Sequence, residues 1–176
     1  MIPPDDALAD LLVLLPPPDE PAFGAVDAWE TVAADLGTHL PADYVAFIER
    51  YGSCEIDQYL GISDPREGDF VTSFVRRFAE TYRAHREDDP DTYWMKVWPE
   101  PEGFIPWAHT QNGDYVGWLT IGHPDTWPIA MYPPRGDDTG AAIPLSATQT
   151  LAAWLRGTLR SNHLLPVEDP VCEPWT

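Results

Sequence analysis

Between residues 104 and 132 the apolar residues change from helical spacing to alternation, and the change is centred on Gln111-Asn112-Gly113-Asp114. Asn-Gly accepts the positive φ angles of a type I′ turn, so Phe104 to Thr110 and Tyr115 to Gly122 predict a β-hairpin. Pro124-Asp125 turns the chain into a third strand, Ile129-Ala130-Met131-Tyr132, completing an antiparallel meander. A further turn, Arg135-Gly136-Asp137-Asp138-Thr139-Gly140, leads to Ile143-Pro144-Leu145. Ser146 and Gln149 have the spacing of a capping box and open a last helix with Leu151, Trp154, Leu155 and Leu159 inward.

The first half of the chain reads as helices. Leu8, Leu11, Leu12 and Leu15 recur at helical spacing over residues 5–15, and Pro16-Pro17-Pro18 stops the helix, leaving it as an appendage on a linker. Asp27 with Glu30 predicts a capped second helix carrying Trp29, Val32, Ala33 and Leu36, closed by Gly37. A third opens at Leu40-Pro41 and turns Tyr44, Phe47, Ile48 and Tyr51 to one face before Gly52. Tyr59-Leu60-Gly61-Ile62 suits a short strand, and Phe70, Phe74, Phe78 and Tyr82 mark an amphipathic helix over 69–86. Arg76, Arg77, Arg83 and Arg86 line its other side, where neighbouring carboxylates are expected to pair them. From residue 161 onward the chain reads as a Pro-rich acidic tail.

Charge narrows the choice of partner. Ten Lys and Arg stand against 29 Asp and Glu, a formal net charge of −19. Such a surface repels nucleic acid and anionic membrane and attracts basic proteins or cations. Solubility alone is the plainer reading of the same number. Cys54 and Cys172 are the only cysteines, too few for a disulfide framework and without CxxC spacing for zinc. Met1-Ile2-Pro3-Pro4-Asp5-Asp6 lacks the basic region of a signal peptide, and Leu11 to Leu15 is too short an apolar run to cross a bilayer, so a cytoplasmic location is expected.

Motifs for chemistry are missing. Neither GxxxxGK[ST] nor GxGxxG occurs, and His39, His85, His109, His123 and His163 show no HxH or HExxH spacing. There is no GxSxG elbow, and Cys54 follows a helix C-terminus, whose dipole opposes a thiolate. No catalytic residue, metal ligand or cofactor site is therefore assigned, and the chain is not expected to be an enzyme. Trp118 reads as core, whereas Trp127 and Trp98 beside turn prolines fit core or contact surface equally.

The order of motifs resembles the SUKH superfamily (SMI/KNR-type). The Trp29 helix, Leu36-Gly37, Leu40-Pro41-Ala42-Asp43-Tyr44 and Tyr51-Gly52 resemble its opening. Ile105-Pro106-Trp107-Ala108, Thr110-Gln111-Asn112-Gly113-Asp114, Trp118 and Gly122-x-Pro124-Asp125-x-Trp127-Pro128 resemble its middle. The resemblance covers residues 26–160, leaving 1–25 as an N-terminal helix and Pro-rich linker and 161–176 as the tail. It implies an α+β fold with a central, largely antiparallel sheet and helices packed on it.

The resemblance also implies a non-enzymatic role. Many bacterial members of that superfamily look like immunity proteins, made in the cytoplasm to bind and neutralise a toxin, often a nuclease, of a polymorphic or contact-dependent system, and the resemblance implies that role here. The alternative it implies is a cytoplasmic regulatory or scaffold domain. Either way the expected partner is a protein, a basic toxin domain under the first reading. Its expected contacts are acids near loops, Asp57, Asp64, Glu67, Asp69, Asp114, Asp125, Asp137 and Asp138, together with Trp127.

Overall fold

A computed structural model describes residues 4–23, 27–132, 141–159 and 161–175, with residues 4–6 described by their backbone alone. Six strands form one antiparallel sheet: β1 (Cys54–Ile56), β2 (Leu60–Ile62), β3 (Phe104–Thr110), β4 (Tyr115–Leu119), β5 (Ile129–Tyr132) and β6 (Cys172–Pro174). Their order is β5-β4-β3-β2-β1-β6, so every neighbour from β5 to β1 is a chain neighbour and only β6 returns from afar. The helices are α1 (Pro4–Leu14), α2 (Trp29–Leu36), α3 (Ala42–Tyr51), α4 (Arg77–Asp88) and α5 (Ala147–Leu155), and a wider π-type segment, Phe70–Arg76, runs into α4. The architecture is α+β, as the residue pattern predicts.

Strand alternation sends successive side chains to opposite faces and builds two cores. On one face α1, α3 and α5 cover Ile105, Trp107, Val116, Trp118, Ile129 and Met131. There Tyr44 meets Trp118 edge-on at 4.8 Å between ring centres, and Trp107 lies 5.8 Å from Trp118. On the other face α4 lays Phe78 and Tyr82 on Phe104, Tyr115, Ala130 and Tyr132. Arg83 and Arg86 of α4 pair with Glu100, while Arg76 and Arg77 are exposed and form no ion pair among the described residues.

Carboxylates tie the helix layer together. Asp43, in the first turn of α3, accepts from both the backbone N–H and the hydroxyl of Thr148 in the first turn of α5, each at 2.9 Å. Asp125 accepts from the Ala42 N–H at 2.8 Å and so caps α3 from the turn before β5. Two helix N-termini, each with unsatisfied donors and a partial positive charge, thus meet carboxylates supplied by distant segments. The Ser146–Gln149 capping box forms as expected.

Four expectations need correction. Asp27 does not cap α2; Ala28 holds that position without a side-chain bond, and the Asp27 N–H donates to the Arg66 carbonyl instead. The N-terminal helix is no appendage, because Leu11 and Leu15 are fully buried in the main core and Tyr51 donates to the Leu15 carbonyl at 2.6 Å. Only Gly113 takes positive φ in the β3–β4 turn, where its N–H donates to the Thr110 carbonyl. Two successive residues with positive φ occur instead at Asp57-Gln58, in the three-residue loop between β1 and β2, where the Tyr59 N–H donates to the Ile56 carbonyl. Finally, the C-terminal segment buries Leu164 and supplies β6.

Replacing Asp43 with Ala leaves the Thr148 hydroxyl and an α5 N–H without their buried acceptor. Urea unfolding is expected to show a loss of about 2 kcal/mol, with Asp43→Asn recovering part of it.

Candidate functional site

Sheet register sets one row of side chains across all six strands: Glu173, Glu55, Gly61, His109, Tyr115 and Tyr132. The row lies on the α4 face. Phe78 covers Tyr115 and Tyr132, and Phe74 reaches both Tyr115 and His109, at 5.7 and 5.9 Å between ring centres. Past His109 the helical cover ends, and Trp175, following β6, lies against the imidazole at 5.5 Å. Gly61 permits this approach, since a Cβ there would stand 3.0 Å from His109 Cε1 and 3.3 Å from Trp175 Cη2.

The gap between the π-type segment and Trp175 is a cleft of about 220 Å³ lined by Ser63, Asp64, Glu67, Asp69, Phe70, Ser73, Phe74, His109 and Trp175. Its rim is acidic. Glu67 accepts from the Ser53 hydroxyl at 2.7 Å, and that oxygen accepts from the Asp64 N–H at 2.7 Å. Asp69 accepts from the Ser73 hydroxyl at 3.1 Å. Glu55 lies directly opposite Glu173 across the β1–β6 pair, two like charges at neighbouring positions. Burial pulls the His109 imidazole below the ordinary histidine range, and the Glu55 carboxylate opposes that shift.

The residues expected at a contact surface divide clearly. Asp64, Glu67 and Asp69 meet at this cleft. Asp57 is exposed in the β1–β2 turn, and Asp125 is half exposed at the N-terminus of α3. Asp137 and Asp138 lie outside the described residues. Three of the set are not exposed as expected. Asp64 has no exposed surface; its carboxylate accepts from the Arg66 backbone N–H at 2.9 Å and from two nitrogens along one edge of the guanidinium, Nε at 3.0 Å and Nη2 at 2.7 Å. That guanidinium sits 4.8 Å over the Trp29 ring, so Asp64 fixes the loop rather than facing outward. Asp114 is 7% exposed, exchanging hydrogen bonds with Thr110 across the hairpin turn. Trp127 is 4% exposed, packed 6.2 Å from Trp118 with its indole N–H on the Gly122 carbonyl, which resolves the open reading toward core.

Sequence reasoning missed Glu55, Phe74, His109, Glu173 and Trp175. Val171-Cys172-Glu173-Pro174-Trp175 lacks apolar–polar alternation and carries a proline that argues against a strand, so nothing in the residue pattern announces β6. Cys54 and Cys172, remote in sequence, are brought into contact. Their thiol–thiol hydrogen bond, then burial, pushes the Cys54 thiol well up, a different cause from the helix dipole first invoked. Among the described residues no group of three or more His, Cys, Asp or Glu is placed to hold a metal ion, and no helix is long and apolar enough to cross a membrane.

A family model described as SUKH_6, SMI1-KNR4 cell-wall, matches residues 27–155, well over half of the chain. No curated protein and no solved structure matches it. The matched span takes in β1 to β5 and the π-type segment, while β6 and Trp175 fall beyond its end.

NMR titration checks the electrostatics of the cleft. His109 is expected to titrate below the ordinary histidine range, to move upward in Trp175→Ala as water reaches the ring, and to move further down in Glu55→Gln. Because folding holds this imidazole neutral, its contribution to stability is present above the unfolded-state value and is lost as pH falls through the lowered folded value.

Proposed function

We propose that this chain, which belongs to the SUKH superfamily, is an immunity protein that binds and neutralises a cognate toxin in the cytoplasm. The superfamily's members are generally protein-interaction modules and include immunity proteins and SMI1/KNR4-like proteins. The observation that carries the proposal is the acid excess, a formal net charge of −19. A nuclease toxin needs a basic groove to hold phosphates, and an acidic protein seated there excludes the substrate without any chemistry of its own. Opposite fields also hasten capture, which matters once a toxin has entered the cell.

The family description itself favours a second reading. It names SMI1-KNR4 and the cell wall, which suits a regulatory scaffold bound to native partners. The two readings separate by genetics: an immunity protein is dispensable when its toxin is absent, whereas loss of a scaffold alters growth by itself.

The test is retention on the immobilised protein across salt steps, with mass spectrometry of what elutes. A single basic protein released at high salt, toxic when expressed alone and harmless when co-expressed with this chain, supports the immunity reading. Several native partners with no toxin among them overturn it in favour of the scaffold. With such a partner in hand, converting Asp57, Glu67, Asp69 and Asp125 together to their amides is expected to slow association about tenfold at low salt, with the difference shrinking as salt rises. The amides keep the acceptor oxygens that Ser53, Ser73 and Ala42 use, so the fold is spared.

A further inference from the structure

We propose that the cleft between Trp175 and the π-type segment is a socket for one arginine side chain of the partner, its guanidinium on the Trp175 ring and its charge met by Glu67 and Asp69 on the rim, with Glu55 further along the same strand row. This rests on the reading of the chain as a binder of a basic protein, and it names where and by what chemistry that protein is gripped.

Size comes first. At about 220 Å³ the cleft is smaller than the roughly 300–1,000 Å³ of small-molecule pockets, and it suits the end of one long side chain. Its walls are aromatic on two sides, Phe74 and Trp175, with His109 between them. Trp175 is 41% exposed although it is large and apolar, leaving ring surface for a planar cation to cover. A guanidinium stacks on such a ring and offers a fork of donors, which an ammonium does not.

The carboxylates supply the acceptors. Glu67 and Asp69 each commit one oxygen to a serine hydroxyl and hold the other uncommitted among the described residues. The Glu55 carboxylate, outside the cleft lining and two positions along the row from His109, forms no hydrogen bond or ion pair among the described residues, although Glu173 stands directly opposite. Two like charges facing each other across a strand pair are destabilising, and a bound cation relieves that repulsion. His109, held neutral by burial, adds no positive charge to repel the incoming guanidinium near neutral pH. Asp64, also lining the cleft, is already occupied by Arg66 of this chain and serves only to fix the rim.

The experiment is an NMR titration of the full chain with N-acetyl-arginine amide, and in parallel with its uncharged isostere N-acetyl-citrulline amide, at constant ionic strength. Saturable shifts concentrated at Gly61, Phe74, His109 and the Trp175 indole, absent with citrulline, support the socket. Trp175→Ala is expected to weaken the binding about three- to tenfold. Asp69→Asn, at an exposed rim position, is expected to weaken it as well and provides a variant that leaves the aromatic stack intact. Shifts scattered over the acidic surface, or an equal response to citrulline, overturn the socket. That result leaves the immunity reading standing, which fails on its own terms when no basic toxin is retained.

Discussion

Cys54–Ile56 is a strand of only three residues, and its order depends on being paired along both edges. The β2 hairpin supplies one edge at little entropic cost, because a loop of only three residues, Asp57-Gln58-Tyr59, closes it. The other edge is supplied by Cys172–Pro174, more than a hundred residues away in sequence. Bonds from the Asp57 N–H to Val171 and from the Trp175 N–H to Ser53 extend that ladder at both ends. Everything particular to the cleft follows from this pairing. It sets Glu173 opposite Glu55, lays Trp175 over Gly61 and His109, and brings Cys172 against Cys54. Without it, β1 would become an exposed edge and the cleft would lose a wall.

The acid excess is less uniform than a net charge suggests. Asp43, Asp64 and Asp114 are buried or nearly so; Asp43 ties α5 to α3, while Asp64 and Asp114 accept within their own loop and turn. Asp125 is at the surface yet caps α3. The three buried groups stabilise the fold and offer little to a partner. Beside the exposed Trp175 ring, Glu67 and Asp69 each keep one carboxylate oxygen uncommitted among the described residues, so the proposed site is distinguished by what surrounds the charge rather than by the charge itself.

What the sequence made legible was local. The meander from Phe104 to Tyr132, the Ser146–Gln149 box and the buried stripe of α3 each depend on residues within one turn or one hairpin, and each formed where its pattern lay. The failures were non-local. Asp27 met the spacing of a cap, but Arg66 from another loop took its backbone N–H. Pro16-Pro17-Pro18 marked the end of α1 correctly and said nothing of α5, against which α1 packs. The cleft was half visible, because Asp64, Glu67 and Asp69 sit in one loop. Its other half arrives on β6, and no periodicity in a proline-rich tail announces a strand that borrows its partner from the far end of the chain.

Amide hydrogen exchange of the full chain, alone and bound to the basic partner it retains, tests the central claim most directly. If the chain works by seating a partner on the acidic, aromatic end of its sheet, binding slows exchange at residues 61–74, at His109 and along residues 171–175. Slowing confined to α1 and α5 on the opposite face, with the cleft unchanged, would contradict the account.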